Sequence, residues 1–445
     1  MTDIWEFDGK QHVPIDVRKL VVKDGVKFLS RYSFMDYTQL VSVEIPDSVK
    51  RIEASAFKGC KSLHSVSMPG VESLGYCAFE GCSQLVSIDI PNSMTSIQES
   101  VFEDCRSLQS INLAGVKSIH QRAFMHCTKL RSVDIPDSVT QIGSSAFSGC
   151  SSLQYISMPN VKSIDVCAFK DCSKLISVDI TDSITEIGSS AFDGCSSLQT
   201  IHFSPNIEII GSCTFRGCKS LTSVNLLHLS LLTTIGERAF YKCTALKSIQ
   251  FPSSLKHIRK EAFFGCSSLT TLKFSPSIDS MDAGCFDMCP LTSLCLPLGS
   301  CVTKYDGQIL PLKSIQFYSS LDNRTPHLQD FLFLVIMIKR SPTAAQRPCT
   351  DHGVLPLHFS LMHGFAYEIE NITTILKAAP DVLNVRDTVH HMYPFLLAAW
   401  SPTPDSCSYF DFTRNIRKLQ CIYMLLREEP HVMSFLINNI MSSRA

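Results

Sequence analysis

A short unit recurs along the first two thirds of the chain and constrains its fold more than any other feature. The unit reads Ala-Phe-x-Gly-Cys-x-x-Leu-x-x-Val-x-Ile-Pro and is clearest from residue 56 onwards. Its cysteine returns after 22 or 23 residues, with one step of 25 that contains a two-residue insertion near Leu229. These cysteines are Cys60, Cys82, Cys105, Cys127, Cys150, Cys172, Cys195, Cys218, Cys243, Cys266 and Cys289. Because so short a unit cannot bury its own apolar residues, we expect successive units to stack on one another.

Each unit predicts a short strand followed by a tight turn. Leu63, Val66 and Met68 give the period-two alternation of a strand, and successive strands would pair in parallel. A second apolar pair, such as Val49 and Ile52, leads into the Ala-Phe step, where we expect a helical turn. The glycine that precedes the cysteine in about half of the units, as in Gly59-Cys60, permits a left-handed cap to that turn.

Two columns of identical residues are expected inside the stack. Eleven phenylalanines, from Phe57 to Phe286, would form its spine, and the repeat cysteines would form a ladder of small buried thiols. Metal binding is the alternative for the cysteines, but the spacing provides no repeated CxxC pairs. The additional cysteines look like substitutions at small-residue positions, and we assign no metal site to them. They are Cys77, Cys167, Cys213 and Cys285.

A period of 20 to 29 residues with a leucine-spaced strand is typical of leucine-rich repeats. The Ala-Phe-x-x-Cys-x-x-Leu unit, with Ile-Pro-x-Ser-Val-x-x-Ile between copies, resembles the BspA-like leucine-rich repeat family over about residues 21 to 302. A degenerate first copy, with Phe34 and Tyr37, brings the number of units to twelve. The resemblance implies a solenoid with a parallel sheet face. Members of that family include surface adhesins and antigens, and also intracellular proteins without an assigned role.

The sequence predicts four regions. Residues 1–20 would cap the solenoid of residues 21–302, residues 303–348 would be a linker with an apolar helix, and residues 349–445 would be a small helical region. The last of these resembles divergent ankyrin repeats, with turn-and-helix starts at Asp351–His358 and again at residue 393. We expect it either to cap the solenoid or to bind a separate protein. A zinc site is not expected from the cluster in this region, because its spacing fits no common finger. That cluster is Cys349, His352, His358 and His363.

Composition excludes several functional classes. Forty basic and forty-one acidic residues give a net charge of -1, without the positive field that nucleic-acid binding needs. The longest apolar run, Phe331–Ile338, is far shorter than the roughly 20 residues of a membrane span. Because the first ten residues show no signal peptide, we expect a cytoplasmic protein with reduced thiols. The chain lacks phosphate-loop, nucleophile-elbow and zinc-protease motifs, so we expect no cofactor, no metal and no enzyme activity.

The outward positions of the strands provide the candidate site. One column consists almost entirely of small hydroxyl residues and is interrupted by Tyr155. The next column varies, and its charge drifts from acidic to basic along the solenoid. We expect Tyr155, Asp134 and Asp179 to form the best-defined patch of a protein-binding face. The full set of candidate residues is Tyr155, Asp134, Asp179, Asp89 and His202.

These patterns favour a monomeric intracellular scaffold that binds a protein through its repeat surface. Two other functions fit the same features. One is an exported cell-surface adhesin or antigen, and the other is a regulator that selects substrates for a catalytic partner. The sequence does not name the partner.

Overall fold

The computed structural model describes residues 4–273 without interruption. Beyond them it describes residues 278, 280–282, 284–291, 293–297, 314–318, 355, 357, 376 and 377. Apart from residues 355, 357, 376 and 377, the expected ankyrin-like region lies outside the described residues, as does the apolar helix of the linker, and both stay predictions. The chain divides into two compact units, residues 1–269 with 284–289 and residues 270–283 with 290–445.

The first unit is a parallel β-solenoid in which each coil contributes two short strands. The first strand of each coil lies in sheet A, which carries the predicted Leu-x-x-Val pattern. The strands of sheet A are Ile4–Phe7, Lys19–Val22, Ser42–Glu44, Ser65–Ser67, Ser87–Ile88, Ser110–Ile111, Ser132–Asp134, Tyr155–Ser157, Ser177–Asp179, Thr200–His202, Ser223–Asn225 and Ser248–Gln250. Sheet A consists of four separate parallel ladders, with breaks after Ser65–Ser67, Ser110–Ile111 and Tyr155–Ser157. Within a ladder neighbouring coils pair in register, as when Ser132 lies opposite Tyr155 and Asp134 opposite Ser157.

The second strand of each coil lies in sheet B, which the sequence pattern did not predict. Its strands have two residues each, one outward and one buried. They are Phe28–Leu29, Arg51–Ile52, Ser73–Leu74, Ser96–Ile97, Ser118–Ile119, Gln141–Ile142, Ser163–Ile164, Glu186–Ile187, Ile209–Ile210, Thr234–Ile235 and His257–Ile258. Sheet B consists of three separate parallel ladders, with breaks after Ser73–Leu74 and after Glu186–Ile187.

The second unit contains four described strands. Thr271–Lys273 pairs in parallel with Ser293–Pro297, and Ser293–Pro297 pairs in parallel with Ser314–Tyr318 over five residues. The fourth strand is Ser280–Met281. A further strand thus lies in the segment that the sequence assigned to the linker.

The Ala-Phe step of each coil forms the third side of the solenoid, which we call the turn side. The expected helical turn is wrong, because two residues in each coil have left-handed backbone conformations. In one coil these are Ser55 and Gly59, with φ of 56° and 74°. The left-handed glycine is therefore confirmed, but a second left-handed residue four positions earlier prevents a helix. Alternate N–H groups donate to the next coil, as when the Phe57 N–H donates to the Ala78 carbonyl at 2.8 Å. The N–H groups between them form turn bonds three residues back, as from Lys58 to the Ser55 carbonyl at 3.2 Å.

The phenylalanine spine is confirmed and includes the degenerate first unit. All twelve rings are less than 2% exposed, and the centroids of successive rings are 5.2 to 5.9 Å apart with nearly parallel planes. The rings are Phe34, Phe57, Phe79, Phe102, Phe124, Phe147, Phe169, Phe192, Phe215, Phe240, Phe263 and Phe286. At the N-terminal end Phe7 packs edge-on against Phe34 at 5.2 Å, beside the strand pair of Ile4–Phe7 and Lys19–Val22.

The ladder of buried thiols is also confirmed, and the structure adds its hydrogen bonds. Each repeat thiol donates to the carbonyl oxygen of the phenylalanine in the preceding coil, as from Cys150 Sγ to Phe124 at 3.2 Å. That carbonyl also accepts the N–H of the cysteine in its own coil, here Cys127. Burial raises the pKa of the Cys150 thiol to about 12. The half-buried Cys77, with φ of 56°, occupies the first left-handed position rather than a metal site.

Candidate binding surfaces

Sheet A presents the candidate residues that the sequence indicated. Tyr155 is 56% exposed, and its backbone partner is Ser132, the hydroxyl residue of the preceding coil. Asp134 is exposed on that same preceding strand, two residues further along. Such a diagonal pair is separated by roughly 7–8 Å between Cα atoms in a sheet, within reach of a tyrosine side chain. Tyr155 and Asp134 therefore share one patch of sheet A.

The remaining candidates lie further along the same sheet. Asp89 is exposed two coils before Asp134, and His202 is exposed two coils after Tyr155. The backbone of Asp179 lies opposite His202, and its side chain lies outside the described residues. The patch thus contains Tyr155 and Asp134 at its centre, with Asp89 and His202 at a distance on either side.

Sheet B carries two grooves that the repeat pattern does not reveal. The first, which we call the polar groove, has a volume of about 430 Å³ and crosses the strands Ser118–Ile119 and Gln141–Ile142. Its side chains have mixed charge, and Gln141 donates hydrogen bonds to the carboxylate of Asp165 at 3.0 and 3.1 Å. Those that define it are Glu99, Lys117, His120, Gln121, Gln141 and Asp165.

The second groove, which we call the acidic groove, is larger, at about 810 Å³. Three carboxylates and three aliphatic side chains define it: Asp165, Glu186, Glu208, Val166, Ile209 and Leu231. The aliphatic side chains are 48% to 55% exposed. Among the described residues that line this groove, none is basic. The two grooves meet at Ser144 and Asp165, which line both.

Departures from the repeat produce the acidic groove. Ile209 stands at the outward position that is Ser163 two coils earlier, and Leu231 lies in the two-residue insertion near Leu229. These substitutions were visible in the sequence. What the sequence did not show is that strands of several coils place them beside Glu186 and Glu208 on one surface.

In the part of the chain that the structure describes, no group of three His, Cys, Asp or Glu side chains is placed so that it could hold a metal ion. Within that same part, no helix is long and apolar enough to cross a membrane.

The chain is similar to several solved leucine-rich repeat structures, of which the first described below supports the fold. A leucine-rich repeat protein from Bacteroides ovatus is 28% identical, with a TM-score of 0.54, over 68% of this chain and 84% of that one. A leucine rich cell surface protein from Faecalibacterium prausnitzii is 23% identical with a TM-score of 0.40, covering 72% of this chain and 90% of that one. A leucine-rich repeat protein from Eubacterium ventriosum is 22% identical with a TM-score of 0.44, covering 62% and 84%.

No curated protein sequence matches the chain. The model of the BspA type leucine rich repeat region, in six copies, matches residues 27–151, 117–232 and 233–323. These matches extend beyond residue 302, consistent with the additional strand Ser314–Tyr318. Since the matched residues make up more than half of the chain, the protein belongs to the BspA type leucine-rich repeat family.

Proposed function

We propose that the protein is a scaffold that binds a partner protein through sheet A. The observation that carries this proposal is Tyr155, whose side chain is 56% exposed in a column otherwise made of serine and threonine. Tyrosine is enriched among the residues that dominate interface energies, because it combines a large apolar ring with a hydroxyl group. The neighbouring carboxylate of Asp134 adds a hydrogen-bond acceptor, and Asp89, Asp179 and His202 extend the patch along the sheet.

The dimensions of sheet A suit a protein partner. Twelve parallel strands about 4.8 Å apart give a face on the order of 55 Å long. A leucine-rich repeat solenoid of this kind typically presents a surface rather than a reaction centre, and we propose no catalytic role. The ankyrin-like region, residues 349–445, would cap the solenoid or recruit a second protein.

A reducing compartment suits the thiols of this chain, and we propose that the scaffold acts inside the cell as a monomer. Cys77, Cys167 and Cys213 are half-buried free thiols, and the cytosol is the compartment that keeps thiols reduced. Fractionation of native cells tests the location, and recovery from the cell surface would favour an adhesin. Sedimentation of the purified protein tests the monomer.

The binding face is tested by capture of partners from native cells with variants of the full chain. Tyr155→Ala and Asp134→Lys should each reduce recovery of a specific partner, and Tyr155→Ala should weaken affinity by roughly 30-fold if Tyr155 dominates the interface. Tyr76→Ala is the matched control, because Tyr76 is another exposed tyrosine, 45% exposed, away from this patch. Equal recovery with Tyr155→Ala and the unaltered protein would contradict the proposal.

A further inference from the structure

The acidic groove of sheet B combines features that point to a second ligand. We propose that it binds an extended segment of a partner protein in which lysine or arginine residues alternate with aliphatic residues. This site lies on sheet B and is independent of the proposed binding face on sheet A, so that either proposal can fail without the other.

The first argument is the exposed aliphatic surface. Val166, Ile209 and Leu231 are 49%, 55% and 48% exposed, and all three line the same groove. At the position of Ile209, the coils on either side carry Glu186 and Thr234. An isoleucine at such a position exposes apolar surface to water. Three aliphatic side chains clustered in a concave groove are typical of a site that accepts an apolar partner.

The second argument is charge. Asp165, Glu186 and Glu208 place three carboxylates on the groove, whereas the whole chain carries a net charge of only -1. None of the three forms an ion pair with a described residue, and only Asp165 accepts a side-chain hydrogen bond, from Gln141. Carboxylates left unpaired beside apolar walls attract cationic side chains more strongly than carboxylates surrounded by water. Charge complementarity therefore selects a basic segment over an acidic one.

The third argument is the backbone. In the ladder that ends within the groove, the Thr185 N–H donates to the Lys162 carbonyl at 2.9 Å, and the Gly188 N–H donates to the Ile164 carbonyl at 2.7 Å. One coil later, Glu186–Ile187 and Ile209–Ile210 belong to separate ladders, and this break lies in the floor of the acidic groove. Main-chain groups at this break do not complete the ladder, so a segment that lies across the coils can form single hydrogen bonds with them without adding a strand to the sheet.

The size of the groove fixes the length of this segment. The groove extends from Ser144 to Leu231, across about five coils. Four steps of about 4.8 Å give roughly 19 Å, which an extended chain spans with about six residues at ~3.3 Å each. Nucleic acids and anionic lipids are disfavoured as ligands because their phosphates would meet the three carboxylates. A divalent cation is disfavoured because the described carboxylates do not form a group that could hold one.

Binding of short fluorescent peptides to the full chain tests the proposal. The probe is a six-residue peptide in which lysine alternates with isoleucine, and fluorescence anisotropy measures its affinity. Two comparison peptides replace either all lysines or all isoleucines with serine. We expect the lysine–isoleucine peptide to bind at least tenfold more tightly than either. If the lysine–serine peptide binds equally well, the attraction is unspecific charge and the proposal is wrong.

Variants of the chain locate the binding site. The double change Glu186→Lys with Glu208→Lys should weaken peptide binding at least tenfold, and Ile209→Ser should weaken it about threefold or more. The matched control is Asp137→Lys with Asp182→Lys, which changes the net charge equally at two exposed acids outside the groove.

Several results would overturn the proposal. One is equal weakening by the two double variants, and another is failure of the unaltered chain to bind any of the peptides. Self-association that the Glu186→Lys, Glu208→Lys variant abolishes would also overturn it, because the groove would then hold a second copy of this chain. Circular dichroism of each variant shows whether it remains folded, and Ile209→Ser keeps the test valid if the double charge reversal does not fold.

Discussion

Carboxylates on the turn side and carboxylates in the acidic groove have opposite surroundings, although the same coils supply both. On the turn side, several carboxylates meet a cation from a neighbouring coil, as Asp193 meets Arg216 at 2.7 Å and Glu261 meets Arg238 at 2.8 Å. In the acidic groove, Glu186 and Glu208 have no cation partner among the described residues. Ion pairs on the turn side thus connect neighbouring coils, whereas the carboxylates of the acidic groove are available to a ligand.

The same contrast holds for apolar side chains. The rings of the phenylalanine spine on the turn side stack on rings of adjacent coils, and each is less than 2% exposed. The aliphatic side chains of the acidic groove are about half exposed and occur in single coils. A position that repeats in every coil is fixed by stacking, while a position that departs from the repeat is free to serve binding. The predictions below test this division, beginning with the turn side.

The largest expected effect is a loss of stability at alkaline pH, caused by ionisation of the buried repeat thiols. Burial raises the pKa of these thiols, to about 12 for Cys150, whereas a thiol in the unfolded chain titrates near about 8.5. Above pH 8.5 the unfolded chain releases protons that the folded chain keeps, so unfolding becomes more favourable. The stabilisation is complete below pH 8.5 and is lost as pH rises toward 12, by up to about 1.4 kcal/mol per pH unit for each thiol.

Urea unfolding at pH 7 to 11, followed by circular dichroism, measures this effect. The free energy of unfolding should stay nearly constant to pH 8 and then fall steeply. A variant with Cys105→Ala, Cys150→Ala and Cys195→Ala has fewer such thiols, and its stability should fall with a shallower slope. Parallel slopes for the two proteins would show that lysine and tyrosine ionisation, rather than the thiols, determines alkaline unfolding.

The second effect is the loss of one ring from the spine. Phe147→Ala removes a fully buried ring whose neighbours, Phe124 and Phe169, are stacked at 5.2 and 5.5 Å. We expect the free energy of unfolding to fall by about 3–5 kcal/mol, because the cavity cannot close without displacing two other coils. Tyr155→Ala removes an aromatic ring of similar size from the surface and should change stability by about 0.5 kcal/mol or less. Comparable losses for both variants would contradict the division between turn side and outward positions.

Features that repeat in every coil could be predicted from the sequence alone. The spine, the thiol ladder and the parallel strands of sheet A all follow from residues that recur at one period, and the left-handed position before the cysteine follows from the coils in which it is glycine. The hydrogen bond of each thiol could not be predicted, because it depends on where the previous coil places its phenylalanine carbonyl. The helical turn was a wrong prediction since the first left-handed position of each coil carries no typical residue: it is Cys77 in one coil and Arg122 in another.

Sheet B and its grooves could not be predicted for a related reason. A strand of two residues, such as Arg51–Ile52, has one inward side chain and so shows no alternation. The acidic groove depends on residues from about five coils, and the chain gives no indication that Ile209 and Leu231 lie beside Glu186. A column of outward residues can be read along the sequence, but the depth and width of the surface between columns depend on how the coils stack.

The third prediction concerns the close approach of two coils beside the groove. A Cβ atom on Gly188 would lie 2.5 Å from the backbone nitrogen of Val166 and 2.6 Å from the carbonyl carbon of Asp165. Because backbone atoms must shift to accept it, Gly188→Ala should lower the free energy of unfolding by about 1–3 kcal/mol. Ser189→Ala is the neighbouring control and should stay within about 0.5 kcal/mol of the unaltered protein. A neutral result for Gly188→Ala would mean that the coils at sheet B separate easily and that stacking constrains this edge less than it constrains the turn side.

The smallest expected effect is a change in the free energy of unfolding, with opposite signs for the two kinds of carboxylate. Glu186→Gln removes one of three like charges from the acidic groove and should raise the free energy of unfolding slightly, by about 0.2–0.5 kcal/mol, an effect that added salt reduces. Glu261→Gln, the same substitution on the turn side, removes the partner of Arg238 and should lower stability instead. The guanidinium of Arg238 lowers the pKa of Glu261, which supports this sign. If both variants are destabilised, Glu186 stabilises the fold as the carboxylates of the turn side do. The proposed difference between the two kinds of carboxylate would then be wrong.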